Sequence, residues 1–268
     1  MTDTTEKKQP PVSELQLDRL RQAAEILLRA RRDLQPIDNL PAELRPRSLE
    51  EAYALQFIMA EAFAPIGGWK IGSSSPDATP LYSPMPLWGG YASSGTILSK
   101  SMRRFRGVEA EIAFLVGKDL PPRLQSYSRE ELIDAIASAH PAIELLESAF
   151  DDPDKADRLS VTGDLQMNGG FAFGTALPGW TTADLTRETV TVIVDGSIRF
   201  EGTASNTAGT DLLRLVSYLA NEGSERTGGL LAGQWITTGS WSGKTLAASG
   251  STVTISFSTF GEVRLQFA

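Results

Sequence analysis

Residues 107–117 read GVEAEIAFLVG, an apolar stretch between two glycines that is interrupted only by Glu109 and Glu111. This pattern predicts a buried β-strand. Because side chains alternate across a strand, both glutamates point to one face, with Cα atoms about 7 Å apart. The same face continues with Ala113 and Leu115, so we expect it to be buried as well. Two carboxylates on a buried face are unfavourable unless a positive group meets them, and the remaining sequence must supply that group.

The composition is that of an ordinary globular protein, with 41% hydrophobic and 22% charged residues among 268. Acidic residues outnumber basic ones by 33 to 25, a net charge of −8, which argues against a nucleic-acid partner. The chain has no cysteine and one histidine, His140, so disulfides, thiolate metal sites and His-rich metal sites are excluded within one chain. We find no apolar run that could span a membrane and no apolar signal core, so we expect a soluble cytoplasmic protein without a membrane partner.

The sequence divides into three parts. Residues 1–12 are predicted to be a disordered tail, residues 13–66 a helical N-terminal portion and residues 67–268 a strand-rich domain. Capping boxes predict helices over about 13–32, 48–63 and 128–139, and Pro141 is expected to end the third. The first of them ends in a basic cluster that suits the helix dipole, Arg29, Arg31 and Arg32.

Strand patterns dominate after residue 67. We predict strands over 68–72, 107–117, 169–174, 190–194, 197–200, 234–238, 252–257 and 262–267, with a helix from Thr210. Residues 75–97 are rich in proline and glycine and are predicted to be a long active-site loop, and residues 149–163 a polar loop. Residues 142–146 fit a strand or a helix equally well. Helices followed by many strands indicate an α+β protein with a mixed, mostly antiparallel sheet.

Two interpretations of Glu109 and Glu111 are open. They could form ion pairs with the preceding basic cluster, Arg103, Arg104 and Arg106. They could instead hold a metal ion, and Glu144 favours this, because it is a third carboxylate in an apolar stretch and buried acids need partners. Three carboxylates without histidine or thiolate ligands are typical of a site for Mg²⁺ or Mn²⁺. Glu147 lies nearer the polar loop, and we expect it to face solvent.

Other candidate residues also have two interpretations. Lys70 could be a surface lysine whose stem packs on its apolar neighbours, or a desolvated lysine that donates a proton or balances an enolate. His140 stands at the predicted helix end, which indicates a structural cap. Residues 236–240 end a strand with hydroxyls and a glycine, which could form a turn or bind a substrate carboxylate. Trp241 could line a pocket or pack in the core.

Four segments match a known family in order and at fitting intervals: EAYALQ at 51–56, GWKIG at 68–72, VEAEIAF at 108–114 and PAIE at 141–144. Together they resemble the 2-keto-4-pentenoate hydratase and 4-oxalocrotonate decarboxylase group of the fumarylacetoacetate hydrolase superfamily, over about residues 15–268. The resemblance implies a β-roll catalytic domain over 67–268 beside the helical portion. It also implies a homo-oligomer and a divalent cofactor, Mg²⁺ or Mn²⁺.

The resemblance also assigns site residues. The metal-binding glutamates of the family fall on Glu109, Glu111 and Glu144, and its active-site lysine falls on Lys70. The family's late Thr-Gly segment, near the substrate carboxylate, is similar to residues 238–240. We therefore expect four substrate contacts, Ser73, Gln166, Thr238 and Ser240.

Two segments depart from the family pattern. Leu81 stands where typical hydratases carry an aspartate, and residues 164–168, DLQMN, stand where they carry Asp-Asn-Ala-Ser. The half of the site that holds the metal and the enolate therefore matches, whereas the half that delivers water or transfers a proton differs. The substrate and the reaction type can differ accordingly from those of the well-known members.

The function expected from the resemblance is a metal-dependent lyase of aromatic catabolism that acts on a small 2-oxo acid. The first choice is a hydratase of a 2-hydroxy-2,4-dienoate or 2-oxo-enoate, and the second is a decarboxylase of a 4-oxalocrotonate-type 2-oxo diacid. Two further alternatives are an acylpyruvate C–C hydrolase and a non-catalytic partner subunit. The partners expected are copies of the same chain or a related hydratase or decarboxylase subunit.

Overall fold

The computed structural model describes residues 12–87, 90–99 and 104–268. Nearly all of the predicted tail, and Arg103, lie outside this part of the chain. Within it the helices are α1 (Glu14–Asp33), α2 (Leu49–Glu61), α3 (Arg129–Ala135), α4 (Arg158–Gly163), α5 (Leu212–Ala220) and α6 (Ser224–Thr227). The strands are β1 (Ile66–Gly72), β2 (Leu81–Pro86), β3 (Tyr91–Ser93), β4 (Thr96–Leu98), β5 (Gly107–Val116), β6 (Ile136–Leu146), β7 (Asn168–Phe173), β8 (Thr189–Val194), β9 (Ser197–Thr203), β10 (Trp235–Thr237), β11 (Thr245–Leu246), β12 (Thr252–Phe257) and β13 (Gly261–Phe267).

The strands form two mixed sheets. The larger sheet has the order β2-β1-β10-β5-β6-β7-β3, and β11 also pairs with β5. β5 is the strand that carries Glu109 and Glu111. The smaller sheet has the order β4-β13-β12-β8-β9. In the described part of the chain, β1–β10, β3–β7 and β4–β13 pair in parallel and the other neighbours are antiparallel. The predicted α+β fold with a mixed, mostly antiparallel body is confirmed.

The two faces of the larger sheet have different roles. One set of alternate side chains of β5, including Val108 and Ile112, is buried in the main core together with Val192 and Ile255 of the smaller sheet. This packing is the usual sheet-on-sheet arrangement, in which alternate residues of each strand point inward. The opposite face of β5 carries Glu109 and Glu111, so the main core lies behind the candidate site and supports it.

The N-terminal helices form a second core. Leu20 and Leu27 of α1 pack with Leu55 and Met59 of α2, and Leu165 from a distant loop completes the cluster. α1 begins at the predicted capping box, in which the side chains of Ser13 and Gln16 each accept from the other residue's backbone amide. At α2 only half of the predicted box forms, because Ser48 accepts from the Glu51 amide while the Glu51 carboxylate turns to Arg19 and the Arg47 amide.

The third predicted helix is too long. α3 ends at Ala135, and the chain continues as β6, so Pro141 and the previously ambiguous residues 142–146 lie inside a strand. The reason is tertiary: β6 pairs with β5 from Ile136 to Leu146, and these long-range hydrogen bonds outweigh the local helical pattern.

Two predicted loops contain regular structure. The segment 75–97 holds β2, β3 and part of β4, and the segment 149–163 holds α4. β2 accommodates Pro84 and Pro86 because it is an edge strand, where a missing amide donor is tolerated. The predicted β8–β9 hairpin is confirmed, with φ of 51° at Asp195 and 77° at Gly196 in its two-residue turn. Among the described residues, no helix combines the length and the apolar character that a membrane span requires.

Candidate active site

Strand register brings the three predicted metal ligands together. β5 and β6 are antiparallel neighbours in which Glu109 pairs directly with Glu144. Glu111 is two residues farther along β5 and therefore projects from the same face. One oxygen of each of the three carboxylates lies within 4.8 Å of the others. The glutamates thus form one compact oxygen cluster, although they come from separate segments of the sequence.

The contacts of the cluster show that it fits a divalent cation. Glu144 is fully buried, and its Oε1 atom lies 2.7 Å from Lys70 Nζ and accepts a hydrogen bond from Asn168 Nδ2 at 3.2 Å. Its Oε2 atom is also buried but has no hydrogen-bond partner among the described residues. Three carboxylates against one ammonium leave a net charge of −2. An oxygen donor set with this charge and an unpartnered buried oxygen suits Mg²⁺ or Mn²⁺.

The electrostatics of the cluster point the same way. Burial, with repulsion from Glu144 and Glu109, raises the pKa of Glu111 well above its ordinary value. Burial also raises the pKa of Glu109, although Lys70 opposes the change. Burial alone would lower the pKa of Lys70, but attraction to the carboxylates of Glu144 and Glu109 outweighs it, and the pKa is raised. Lys70 is therefore held as an ammonium, and one ammonium is not enough to stabilise three buried carboxylates.

Lys70 reaches the cluster from a different strand. In the sheet order, β10 separates β1 from β5, and Lys70 pairs with Thr237, which in turn pairs with Ala113 on the glutamate face. The lysine side chain is only 14% exposed and also donates to the carbonyl oxygen of Gln166 at 3.0 Å. Of the two interpretations of Lys70, the structure supports the desolvated lysine beside carboxylates.

The loop before β7 is strained where it touches the cluster. Leu165, Gln166 and Met167 have φ of 54°, 46° and 66°, a left-handed conformation that residues other than glycine rarely adopt. Such strain persists only where the surroundings impose it, and it is frequent at functional sites. Here the Gln166 carbonyl oxygen accepts a hydrogen bond from Lys70, and the side-chain amide of Asn168, the first residue of β7, donates to Glu144.

A buried arginine, Arg31 of α1, holds this loop. Its guanidinium donates to Asp164 Oδ1 at 2.6 Å and to the carbonyl oxygens of Asp164, Asn168 and Glu147 at 2.9–3.0 Å. The sequence had indicated only a favourable helix-dipole contact for Arg31. No pattern distinguishes it from its exposed neighbour Arg32, so only the tertiary structure shows that it connects the helical portion to the site.

A cavity of about 420 Å³ opens beside the cluster. It is lined by six of the predicted site residues, Lys70, Ser73, Glu109, Glu111, Gln166 and Ser240. Among its other lining residues are Thr79, Leu81, Arg158, Val161, Thr162, Thr207 and Gly239. The volume lies in the range usual for small-molecule sites.

The predicted substrate contacts differ in their placement. The Ser240 side chain hydrogen-bonds the Glu109 carboxylate, whereas the Ser73 hydroxyl lies within hydrogen-bond distance of the Ser75 and Ala78 carbonyls in a local turn. Thr238 is not brought to the cavity. It directly follows β10, is fully buried and donates to the Ile112 carbonyl at 2.6 Å. The neighbouring Gly239 amide instead meets the cluster, donating to Glu111 Oε2 at 2.9 Å.

Two expectations for nearby residues are wrong. Glu147 does not face solvent: it is buried, and its carboxylate accepts from the backbone amides of Arg104 and Phe105. His140 does not cap a helix: it lies within β6, with Nδ1 2.9 Å from the Gly174 carbonyl oxygen, and its ring packs against Trp235. Burial lowers the pKa of His140, and its role is structural, as expected.

The structure also places Arg104 and Trp241. Arg104 directs its guanidinium to Asp151 and to the Phe150 carbonyl, not to the glutamate cluster. Trp241 is fully buried and packs edge-on against Phe257, so it belongs to the core and not to the cavity wall.

Comparison with known proteins identifies the family. Residues 73–268 match the family model for the fumarylacetoacetate (FAA) hydrolase C-terminal domain. The chain belongs to this family. The match includes Glu109, Glu111 and Glu144, while Lys70 lies just before it. No curated protein matches the chain.

Solved structures share the fold. The 4-oxalocrotonate decarboxylase from Pseudomonas putida G7, complexed with magnesium and adipate, is 23% identical over 94% of this chain and 98% of that chain, with a TM-score of 0.80. The same enzyme complexed with calcium and acetate gives a TM-score of 0.79 at the same identity and coverage. The 2-hydroxyhepta-2,4-diene-1,7-dioate isomerase from Mycobacterium marinum is 17% identical over 76% of each chain, with a TM-score of 0.56. At these identities the likeness establishes the fold.

Proposed function

We propose that the protein is a divalent-metal-dependent lyase that decarboxylates an unsaturated 2-oxo acid. The observation that carries the proposal is the cluster of Glu109, Glu111 and Glu144 with Lys70 at 2.7 Å from Glu144, beside a cavity of substrate size. The three glutamates would hold the metal ion. When bound, the ion would polarise the 2-oxo group and stabilise negative charge that develops on its oxygen.

Lys70 is the proposed proton donor. In decarboxylation of an unsaturated 2-oxo diacid, the bond to the second carboxylate, on the carbon next to the double bond, breaks; carbon dioxide leaves, and the electron pair passes through the conjugated double bond to the 2-oxo oxygen. Lys70 then donates a proton to that oxygen, which gives a 2-hydroxydienoate, and regains a proton from water. The position of Lys70 supports this role, because its ammonium lies 2.7 Å from Glu144 of the cluster and the residue lines the cavity.

The cavity wall favours decarboxylation over the addition of water, which was the first choice from sequence. Hydration and C–C hydrolysis both need a group that activates water. Apart from Lys70 and the glutamates of the cluster, the described lining residues include one charged side chain, Arg158, whose guanidinium offers only donors and no acceptor for a proton. Leu81, which stands where typical hydratases carry an aspartate, lies in this wall as an apolar residue. Decarboxylation needs an electron sink and a proton donor but no water-activating base.

The comparisons support the proposal without identifying the reaction. The solved decarboxylase with this fold was complexed with magnesium and with adipate, a dicarboxylate. Other structures that share the fold carry the names of isomerases, so the family fold serves several reactions. Homo-oligomer formation and pairing with a related hydratase or decarboxylase subunit stay predictions from the sequence.

The proposal is tested by incubating the protein separately with unsaturated 2-oxo diacids, the substrates for decarboxylation, and with 2-hydroxydienoic acids, the substrates for hydration, in the presence of Mg²⁺ or Mn²⁺. Carbon dioxide release and loss of ultraviolet absorbance are recorded separately. We expect metal-dependent carbon dioxide release that is lost in Glu109→Gln and kept in Glu201→Gln, a matched change at an exposed residue. Loss of absorbance with water addition and no carbon dioxide would indicate a hydratase instead. Equal activity with and without metal would contradict the proposed site.

A further inference from the structure

An unpaired cation stands in the cavity wall. Arg158, the first residue of α4, is exposed and lines the cavity. Within the described ranges its guanidinium has no hydrogen-bond or ion-pair partner, since only its backbone carbonyl is bonded, by Thr162. Eight other arginines of the described residues form ion pairs with carboxylates: Arg19, Arg21, Arg31, Arg104, Arg123, Arg129, Arg226 and Arg264.

The position of Arg158 is set by its helix. Arg158, Val161 and Thr162 occupy positions i, i+3 and i+4 of α4, which lie on one side of a helix, and all three line the cavity. Lys70 and the glutamates line the same cavity from the sheet. On the sheet side the cavity therefore carries carboxylates that suit a metal ion, and on the helix side it carries the guanidinium of Arg158. Arg158 is not the counter-ion of the glutamates, because Lys70 makes that ion pair.

We infer that Arg158 binds the second carboxylate of the 2-oxo diacid that the proposed decarboxylation requires. The inference rests on the proposed function, which assigns the 2-oxo group to the metal side of the cavity. A guanidinium presents parallel N–H groups that match the two oxygens of a carboxylate, so an arginine selects this group more specifically than a lysine does. Arg158 is thus a specificity-determining residue, and a monoacid of equal length lacks this contact.

The proposed reaction predicts how the contact affects kinetics. In decarboxylation the second carboxylate leaves as neutral carbon dioxide, so its attraction to Arg158 is strong in the bound substrate and weakens in the transition state. Removing the guanidinium should therefore raise KM for the diacid without lowering kcat. A carboxylate that is retained in the product would keep the contact throughout the reaction.

The test compares binding of two unreactive saturated acids, 2-oxoadipate and 2-oxohexanoate, which differ only in the second carboxylate. Titration calorimetry in the presence of Mg²⁺ measures Kd for the full chain and its variants. We expect the wild type to bind the diacid roughly tenfold more tightly, the size of one charge-assisted contact. Arg158→Gln should abolish this preference, Arg158→Lys should keep part of it, and Arg32→Gln, at another exposed and unpaired arginine, should keep all of it.

The outcomes separate this inference from the proposed function. Equal binding of the two acids by the wild type, or a preference that survives Arg158→Gln, overturns the role of Arg158, while metal-dependent binding of the monoacid still supports the proposed site. If neither acid binds the wild type in the presence of metal, both proposals fail. If Arg158→Gln binds 2-oxoadipate more weakly and also shows a lower kcat with the unsaturated diacid substrate, the result supports the contact and contradicts decarboxylation of that carboxylate.

Discussion

The substitution Arg31→Met should destabilise the protein strongly, although Arg31 lies on the N-terminal helix and lines no part of the cavity. Its guanidinium is fully buried and donates four hydrogen bonds, one to the equally buried Asp164 carboxylate and three to backbone carbonyls. Methionine retains much of the volume but none of the donors. Removing one partner of a buried ion pair typically costs about 3–5 kcal/mol, because the other charge is left uncompensated.

The assay is urea unfolding at pH 7, together with the thermal midpoint. A loss of about 3–5 kcal/mol in the free energy of unfolding corresponds to a decrease in Tm of roughly 10 °C for a chain of this size. The matched control is Arg32→Met in the next position of the same helix, where the side chain is exposed and the change should stay within about 0.5 kcal/mol. Metal affinity should fall as well, because the loop held by Arg31 contacts Lys70 and Glu144.

A double variant separates the lost ion pair from lost packing. Arg31→Met combined with Asp164→Leu should cost less than the sum of the two single changes, since no uncompensated charge is left in the core. If Arg31→Met costs less than about 1 kcal/mol, or if the two changes are additive, the ion pair does not anchor the loop and the reasoning is refuted.

Three further changes test other parts of the structure. Gly239→Ala and Gly250→Ala both place a side chain at positive φ and should each cost about 1–2 kcal/mol of stability. Only Gly239→Ala should weaken Mn²⁺ binding, because a backbone shift that relieves the strain there would move the amide that donates to Glu111; equal affinities would exclude this role. Burial alone would raise the pKa of Glu51, but hydrogen bonds from an arginine, a glutamine and a backbone amide lower it below the ordinary 4.5. The ionised Glu51 carboxylate therefore stabilises the fold fully above pH 4.5, and this contribution is lost as the pH falls through the lowered pKa. Glu51→Gln should therefore lower the free energy of unfolding by about 1–3 kcal/mol at pH 7 and by progressively less in acid. Glu25→Gln, a control at an exposed residue of α1, should follow the wild type. A difference between Glu51→Gln and the wild type that stays constant at all pH values would contradict the assignment. Lys70→Met should lower kcat by roughly a hundredfold or more while metal still binds, and unchanged turnover would remove Lys70 from the reaction.

The sequence predicted that two of the clustered glutamates share one face of a strand. The alternation of residues 107–117 was enough to place Glu109 and Glu111 on one buried face, since that inference needs only the period of a strand. That Glu144 lies directly opposite Glu109 depends on the pairing of β5 with β6, a long-range contact that no local pattern encodes. The apolar neighbours of Glu144 indicated that its carboxylate needs a partner, and the family resemblance assigned it as a third metal ligand, whereas the periodicity of residues 142–146 did not separate strand from helix.

The errors have a common physical cause. Residues 136–141 carry a helical pattern after a good capping box, yet they pair with β5, because tertiary hydrogen bonds override local propensity. Glu147 was assigned to solvent for its polar neighbours in sequence, but the folded chain brings two backbone amides onto its carboxylate. Arg31 and Arg158 each resemble ordinary surface arginines in sequence, and their different roles follow only from what the fold places beside them.

The most direct test of the central claim is a titration of Mn²⁺ into the metal-free protein, monitored by electron paramagnetic resonance. The account predicts one tightly bound ion per chain in the wild type and in Glu201→Gln, and strongly weakened binding in Glu109→Gln, Glu111→Gln and Glu144→Gln alike. Binding that survives all three changes, or a wild type that binds no ion, would contradict the claim that these carboxylates form a metal site.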